Sequence, residues 1–274
     1  MNPLRRALIG RVRAIFNDQA RGETPVRRSA DALFTPACAP WRVHGDVTTM
    51  MVGGIAALLL QMLHPAVLAG VWDHSDFRQD MLGRLRRTAR FIAVTTYGAR
   101  TEAEAAIARV RQVHARVRGT LPDGTRYRAD DPALLAWVHV TESISFLDAW
   151  VRYAEPAMPM ADQDRYFAEA ARVAEALGAD PIPRSRGEAE ALIAAMRPQL
   201  AANDRTREVA QIVLSQQAPS LELKPVRALT FQAAVDLLPG WAREMHGLAG
   251  PRLARPIVRA GTFGMASALR WAFR

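Results

Sequence analysis

A single cysteine, Cys38, stands among the 274 residues. Its isolation excludes an internal disulfide framework and any zinc site built on thiolates, and it fits a reducing compartment. Long apolar runs are scarce as well. The strongest, TMMVGGIAALLLQML at 49–63, is shorter than the ~20 residues a membrane-spanning helix needs, so it reads as a buried core helix. The opening MNPLRRALIGRVRAIF lacks a long apolar stretch ending in a small-residue cleavage site. It reads as a basic amphipathic helix over 3–17 and not as a secretion signal. Neither a phosphate loop, a dinucleotide fingerprint, Gly-x-Ser-x-Gly nor His-Glu-x-x-His is present, which argues against kinase and hydrolase chemistry.

Lysine is almost absent too: Lys224 is the only one in a chain whose 36 basic residues outnumber 27 acidic ones, for a formal charge of +9. The arginines are spread along the whole length and interleaved with acids, the pattern of a solvated surface. No aromatic run accompanies them, so nucleic acid is not an expected partner. The basic helix 3–17 and the basic segment 252–274 leave peripheral contact with an anionic membrane surface as a partner reading. With no secretion signal, the expected location is the cytoplasm, peripheral at a membrane if that contact forms.

What the chain does contain is apolar and helical. Half of its residues are hydrophobic, enough for a sizeable core, and Ala, Leu, Arg and Glu dominate over Val, Ile and Thr, which favours helices. The expected organisation is an N-terminal amphipathic helix and irregular link over 1–45, then a helical domain over 46–274. Helices are expected at 46–63, 65–72, 80–97 (capped by Ser75 or Asp80), 132–154, 161–177, 185–200 and 204–216. Another starts at Thr101, with Glu104 three residues on completing a capping box, and runs to Gly119. The region 224–272 mixes short helices with Gly and Pro breaks. Gly53-Gly54 would allow a close helix approach. No strand-period segment appears. The fold class is all-α, a single globular multi-helix domain.

Three stretches hold residues suited to chemistry. In TEAEAAIARVRQVHARVRG, Ala103, Ile107, Val110, His114 and Val117 recur at steps of three and four, a core seam that turns His114 inward. A buried imidazole must be hydrogen-bonded or ligated, so His114 is either a core histidine or a ligand. In GRLRRTARF, Arg84, Arg87, Thr88 and Phe91 share a helix face, where two guanidiniums and a hydroxyl suit a bound anion or remain solvated. In DPALLAWVHVTESISFLDAW, Leu135, His139, Glu142, Phe146, Ala149 and Tyr153 share a face. His139 and Glu142 can pair with each other or, with His64 or His74, hold a non-heme iron.

HPAVLAGVWDHSDFR, GRLRRT, the RQVHARVRG helix and LLAWVHVTES occur in that order. Together they resemble the MpaB-type oxygenase and latex-clearing (rubber oxygenase) catalytic-domain family, over roughly residues 45–250. The resemblance implies an all-helical fold with a buried pocket for heme b and an oxygenase acting with O₂ on an apolar alkene, isoprenoid or lipid-like molecule. The family's Arg-x-x-Lys-Thr motif corresponds to Arg84, Arg87 and Thr88, which the resemblance marks as catalytic, and the helix histidine that follows it corresponds to His114. His114 is thereby the implied axial iron ligand, with His64 and His139 as alternatives. His64, Arg84, Arg87, Val110 and Val67 are implied around the cofactor. Arg87 replaces the family lysine, and a guanidinium is a poor iron ligand. No Glu stands in 61–83, which argues against polyisoprene as substrate. The alternative reading is a non-catalytic heme- or lipid-binding helical protein, or a non-heme iron protein.

Overall fold

A computed structural model describes residues 5–6, 10, 22–217, 220–248 and 255–273. The helix expected at 3–17 lies outside the described residues, apart from helical Arg5, Arg6 and Gly10. Twelve α-helices and one two-stranded sheet are found among them, which agrees with the all-α expectation. After an irregular link, α1 (Ala39–Val43) leads into α2 (Val47–Gln61). The Asp46 carboxylate caps α2 by accepting from the Thr49 amide at 2.9 Å. α2 is buried almost all round, as a central helix must be when it is apolar on every face.

α3 (Pro65–His74) follows a 104° bend. The break has a local cause: Pro65 takes the first helical position, where a missing amide costs nothing, and disfavours helical backbone at His64 before it. α4 (Met81–Tyr97) is capped by Asp80, which accepts from Gly83 N at 2.8 Å. The long α6 (Pro132–Tyr153) is capped by Asp131. It lies along α2 in the most extensive helix contact among the described residues. A Cβ on Gly53 would come within 2.8 Å of the Ser145 carbonyl oxygen, so only glycine permits this approach. Gly54 has ordinary room.

Two expectations are corrected between these helices. α5 (Arg100–His114) begins one residue earlier than Thr101, and Glu102 rather than Glu104 turns back to accept from the Ala99 amide at 3.1 Å. α5 also stops at His114 and does not reach Gly119. Residues 118–120 instead pair antiparallel with 126–128 as β1 and β2. Tyr127 explains the change: its ring covers Gly119, and its hydroxyl donates to Asp73 at 3.1 Å, tying the hairpin to α3. Strands of three residues have too few positions to show a period of two.

The chain continues with α7 (Met160–Leu177), α8 (Arg186–Met196), α9 (Asp204–Leu214), α10 (Lys224–Leu237), α11 (Gly240–Met245) and α12 (Arg255–Phe273). One core joins α2 to α9 and α10; a second joins α6 to α1, α7 and α8. Val67 packs against both. Among the described residues no single helix is long and apolar enough to cross a membrane.

Candidate functional site

The inward face of α6 is apolar where Leu135, Phe146, Ala149 and Tyr153 are buried. His139 and Glu142 interrupt it one turn apart. His139 Nε2 is buried without a hydrogen-bond partner. Burial lowers the ring's pKa from 6.5 to about 4, so the imidazole is neutral at pH 7. Burial has the opposite effect on the Glu142 carboxyl, raising it from 4.5 to about 7. A hydrogen bond from Gln61 and the charge of Arg84 hold that rise back.

Arg84 reaches this group from α4. Burial lowers its pKa to about 10, the charge of Arg87 adds to the lowering, and Glu142 opposes it. Its Nη1 donates to Ser75 Oγ at 3.0 Å, so the guanidinium is braced by the end of α3. Sequence reasoning missed the meeting of Arg84 with Glu142 and the part played by Gln61. The available signal was Gln61 itself, a polar side chain closing an otherwise apolar helix.

His64 is buried at the bend between α2 and α3. Its Nδ1 accepts from Ala66 N at 3.3 Å, and its Nε2 has no hydrogen-bond partner. Burial lowers its pKa, against the hydrogen-bonding side chain of Gln199 and the charge of Asp131; Gln199 makes no bond of ordinary length to Nε2. Its ring centroid lies 6.4 Å from that of Trp137, whose indole donates to the Gln61 carbonyl at 3.4 Å. His64 thus stands where α2 ends against the Trp137 side of α6, a different side from that of His139, since residues two apart on a helix do not face each other.

The remaining predicted residues lie on the two arms of the α4–α5 pair. Arg87 is exposed and ion-paired with Asp80 at 3.3 Å. Thr88 is exposed, and its hydroxyl donates to the Arg84 carbonyl at 3.3 Å. On α5 the seam is buried at Ala103 and Ile107 but only half-buried at Val110 and His114, so His114 is less enclosed than the seam implies. Partial burial still lowers its pKa, with Asp130 opposing. Two residues, Gly98 and Ala99, link α4 to α5. Measured from that link, Arg84 and His114 are both about 14–16 residues out, ~22 Å along their helices. On α5 the cover falls away from the link, from buried Ala103 and Ile107 to exposed Val113, whereas α4 stays anchored at its far end by buried Met81. Arg84 and His114 stand at equal reach from the link.

His44 contrasts with these rings. Its Nδ1 bonds Thr96 Oγ1 at 2.9 Å and its Nε2 bonds the Tyr166 hydroxyl at 3.0 Å, which marks it as structural. His74 is exposed at the end of α3. Among the described residues no group of three His, Cys, Asp or Glu side chains is placed to hold a metal ion, and His139 and Glu142 are not joined there by a third such ligand.

The site therefore sets the neutral His139 one turn from the Glu142 carboxyl, on which the charge of Arg84 acts, inside a helical fold. No match to a curated protein or to a solved structure was found. Over residues 41–271 the chain matches the family described as ER-bound oxygenase mpaB/B'/rubber oxygenase, catalytic domain, and it belongs to that family.

Proposed function

We propose that the protein is a heme b-dependent oxygenase that uses O₂ on an apolar small molecule. One observation carries the cofactor reading: His64 and His139 each keep Nε2 buried and unpartnered, His139 one turn from Glu142 on α6. An unsatisfied buried polar atom costs about 1–3 kcal/mol, and a bound group offsets that cost. The residues fit heme in their chemistry. An iron ligand must be a neutral imidazole, and burial favours the neutral form of His114, His64 and His139 alike.

By the family motif, His114 would ligate the iron, with His64 or His139 as the alternative. Val110 and Val67 would pack on the porphyrin, and Arg84 and Arg87 would neutralise its propionates. Heme, when bound, supplies an iron that takes up O₂. The chain's own contribution is electrostatic. Glu142, poised near pH 7, can hold or release a proton at its carboxyl. Arg84 stays cationic beside it and, through Ser75, remains fixed in orientation.

The test is an absorption spectrum of protein expressed with heme supplied, beside His114→Ala, His64→Ala and His139→Ala. A Soret band lost only in His114→Ala is the expected result. Loss only in another variant would move the ligand, and no band in the heme-replete wild type would sink the heme reading. Oxygen uptake with an apolar alkene or fatty substrate separates turnover from mere heme binding.

A further inference from the structure

A helix at the surface of a soluble domain normally buries its larger apolar side chains. α12 does the reverse. Its inward positions are Val258, Thr262, Ala266 and Ala272, all small. Its exposed positions include Ile257 (75 % exposed), Phe263 and Trp271 (54 %). Ile257, Ala260, Gly264, Ala268 and Trp271 follow at steps of three and four, so they form one outward row, and each is exposed. Of all the exposed positions on α12 between 255 and 273, only Arg259 is charged. The apolar surface runs on to α10 through Gly261, where a Cβ would lie 3.3 Å from Leu229, and exposed Val226 lies one turn before Leu229.

Cations border this face. Arg255, Arg259 and Arg270, at steps of four and eleven, fall in one row where the exposed surface meets the buried side, and Arg270 is ion-paired with the buried Asp46 at 2.9 Å. Arg255 and Arg259 join Arg152 in ion pairs with the buried carboxylate of Asp236, and Arg243 donates to the Asp236 backbone carbonyl. Three guanidiniums thus gather around one carboxylate, with a fourth on the same residue's backbone carbonyl. At the other end, Arg5 donates to the Ala272 carbonyl at 2.7 Å and its guanidinium lies 6.0 Å from the centre of the Trp271 ring.

We infer that α12 is a membrane-docking helix, which lays its uncharged face, Ile257 to Trp271, on an anionic lipid surface, drawn there by the excess positive charge of the arginine cluster around Asp236. An apolar face with an indole, bordered by guanidiniums, is the arrangement that binds lipid interfaces. A second copy of the chain is the poorer occupant. A twofold contact would set the same arginine-lined edge near its own symmetry mate, and like charges there oppose association. The inference goes beyond the oxygenase reading and does not depend on it.

The test is co-sedimentation of the full chain with vesicles of phosphatidylcholine alone and with phosphatidylglycerol added, at low and high salt. The wild type should pellet with the anionic vesicles and be released by salt. Ile257→Glu/Trp271→Glu, which alters only exposed positions, should lose about tenfold or more of its partitioning with its circular dichroism and melting temperature kept. Met160→Glu, an exposed apolar residue on α7, should bind as the wild type does. Equal binding by the double variant, or no binding by the wild type, overturns the proposal. So does a wild-type dimer by light scattering that ignores vesicles and that the double variant splits. Heme content does not enter this readout, so its failure and that of the oxygenase reading are separable.

Discussion

Two kinds of buried histidine setting occur among the described residues. His44 has a hydroxyl on each ring nitrogen, Thr96 on one and Tyr166 on the other. His139 and His64 each keep a buried Nε2 with no protein partner. Burial lowers all three pKa values, His44 to about 3 and His139 to about 4. Protonation state therefore does not tell the settings apart; hydrogen-bond completeness does. A ring whose two nitrogens are both engaged serves the fold, and a ring left open has a place for something the chain does not supply.

The largest expected effect sharpens this contrast. His114→Ala should abolish the Soret band of heme-loaded protein, whereas His44→Ala should retain a band in whatever fraction stays folded; absorption spectra on the two variants decide it. Next comes stability. His44→Ala strands the Thr96 and Tyr166 hydroxyls and opens a cavity, which should cost roughly 2–4 kcal/mol in urea unfolding. A cost below about 0.5 kcal/mol would break the comparison, because His44 would then not be structural.

Glu142 gives an intermediate effect with a definite sign. Its native pKa is raised from 4.5 to about 7, so between those values the native state holds more proton than the unfolded chain. Stability from this group is complete below pH 4.5 and is lost as pH rises through 7. Glu142→Gln should remove that slope, and its stability relative to wild type should rise by on the order of 1–3 kcal/mol between pH 5 and 8. Parallel pH–stability curves for the two proteins would refute the assignment. His44 and His139 act oppositely: their lowered values add stability above pH 6.5 that is lost as pH falls toward about 3 and about 4.

The smallest expected effect is the most discriminating. His139→Leu removes an unpartnered polar atom from an apolar face, so stability of the cofactor-free protein should change by no more than about 1 kcal/mol in either direction. A loss near that of His44→Ala would show that His139 has a structural partner after all.

Much of the fold was legible because its signals are local. Of the two caps offered for the helix at 80–97, Asp80 is the one used, and the helices expected from 65 and 132 do start at Pro65 and Pro132. Thr101 misled because the two-residue link leaves α5 to begin before it, with Glu102 reaching back instead. The hairpin was missed because its strands are too short for periodicity. The site was half legible. The α6 face was read from spacing alone, as was the face of Arg84, Arg87 and Thr88. The meeting of Arg84 with Glu142 depends on how α4 and α6 pack, and helical spacing says nothing about which two faces meet. The seam of α5 was correct near the link and overstated at His114, because periodicity gives a direction but not how far a neighbour's cover extends.

The Gly53 contact has a consequence for redesign. Where Gly53 of α2 meets α6, the Ser145 carbonyl and the Phe146 ring close on it, and anything larger than hydrogen there would wedge the two helices apart. That seam works as the closed end of a vice. Libraries aimed at the size of the molecule the fold accepts belong on α4 and α5, at half-buried positions such as Leu85, Phe91, Ile92 and Val110, not along the α2–α6 seam.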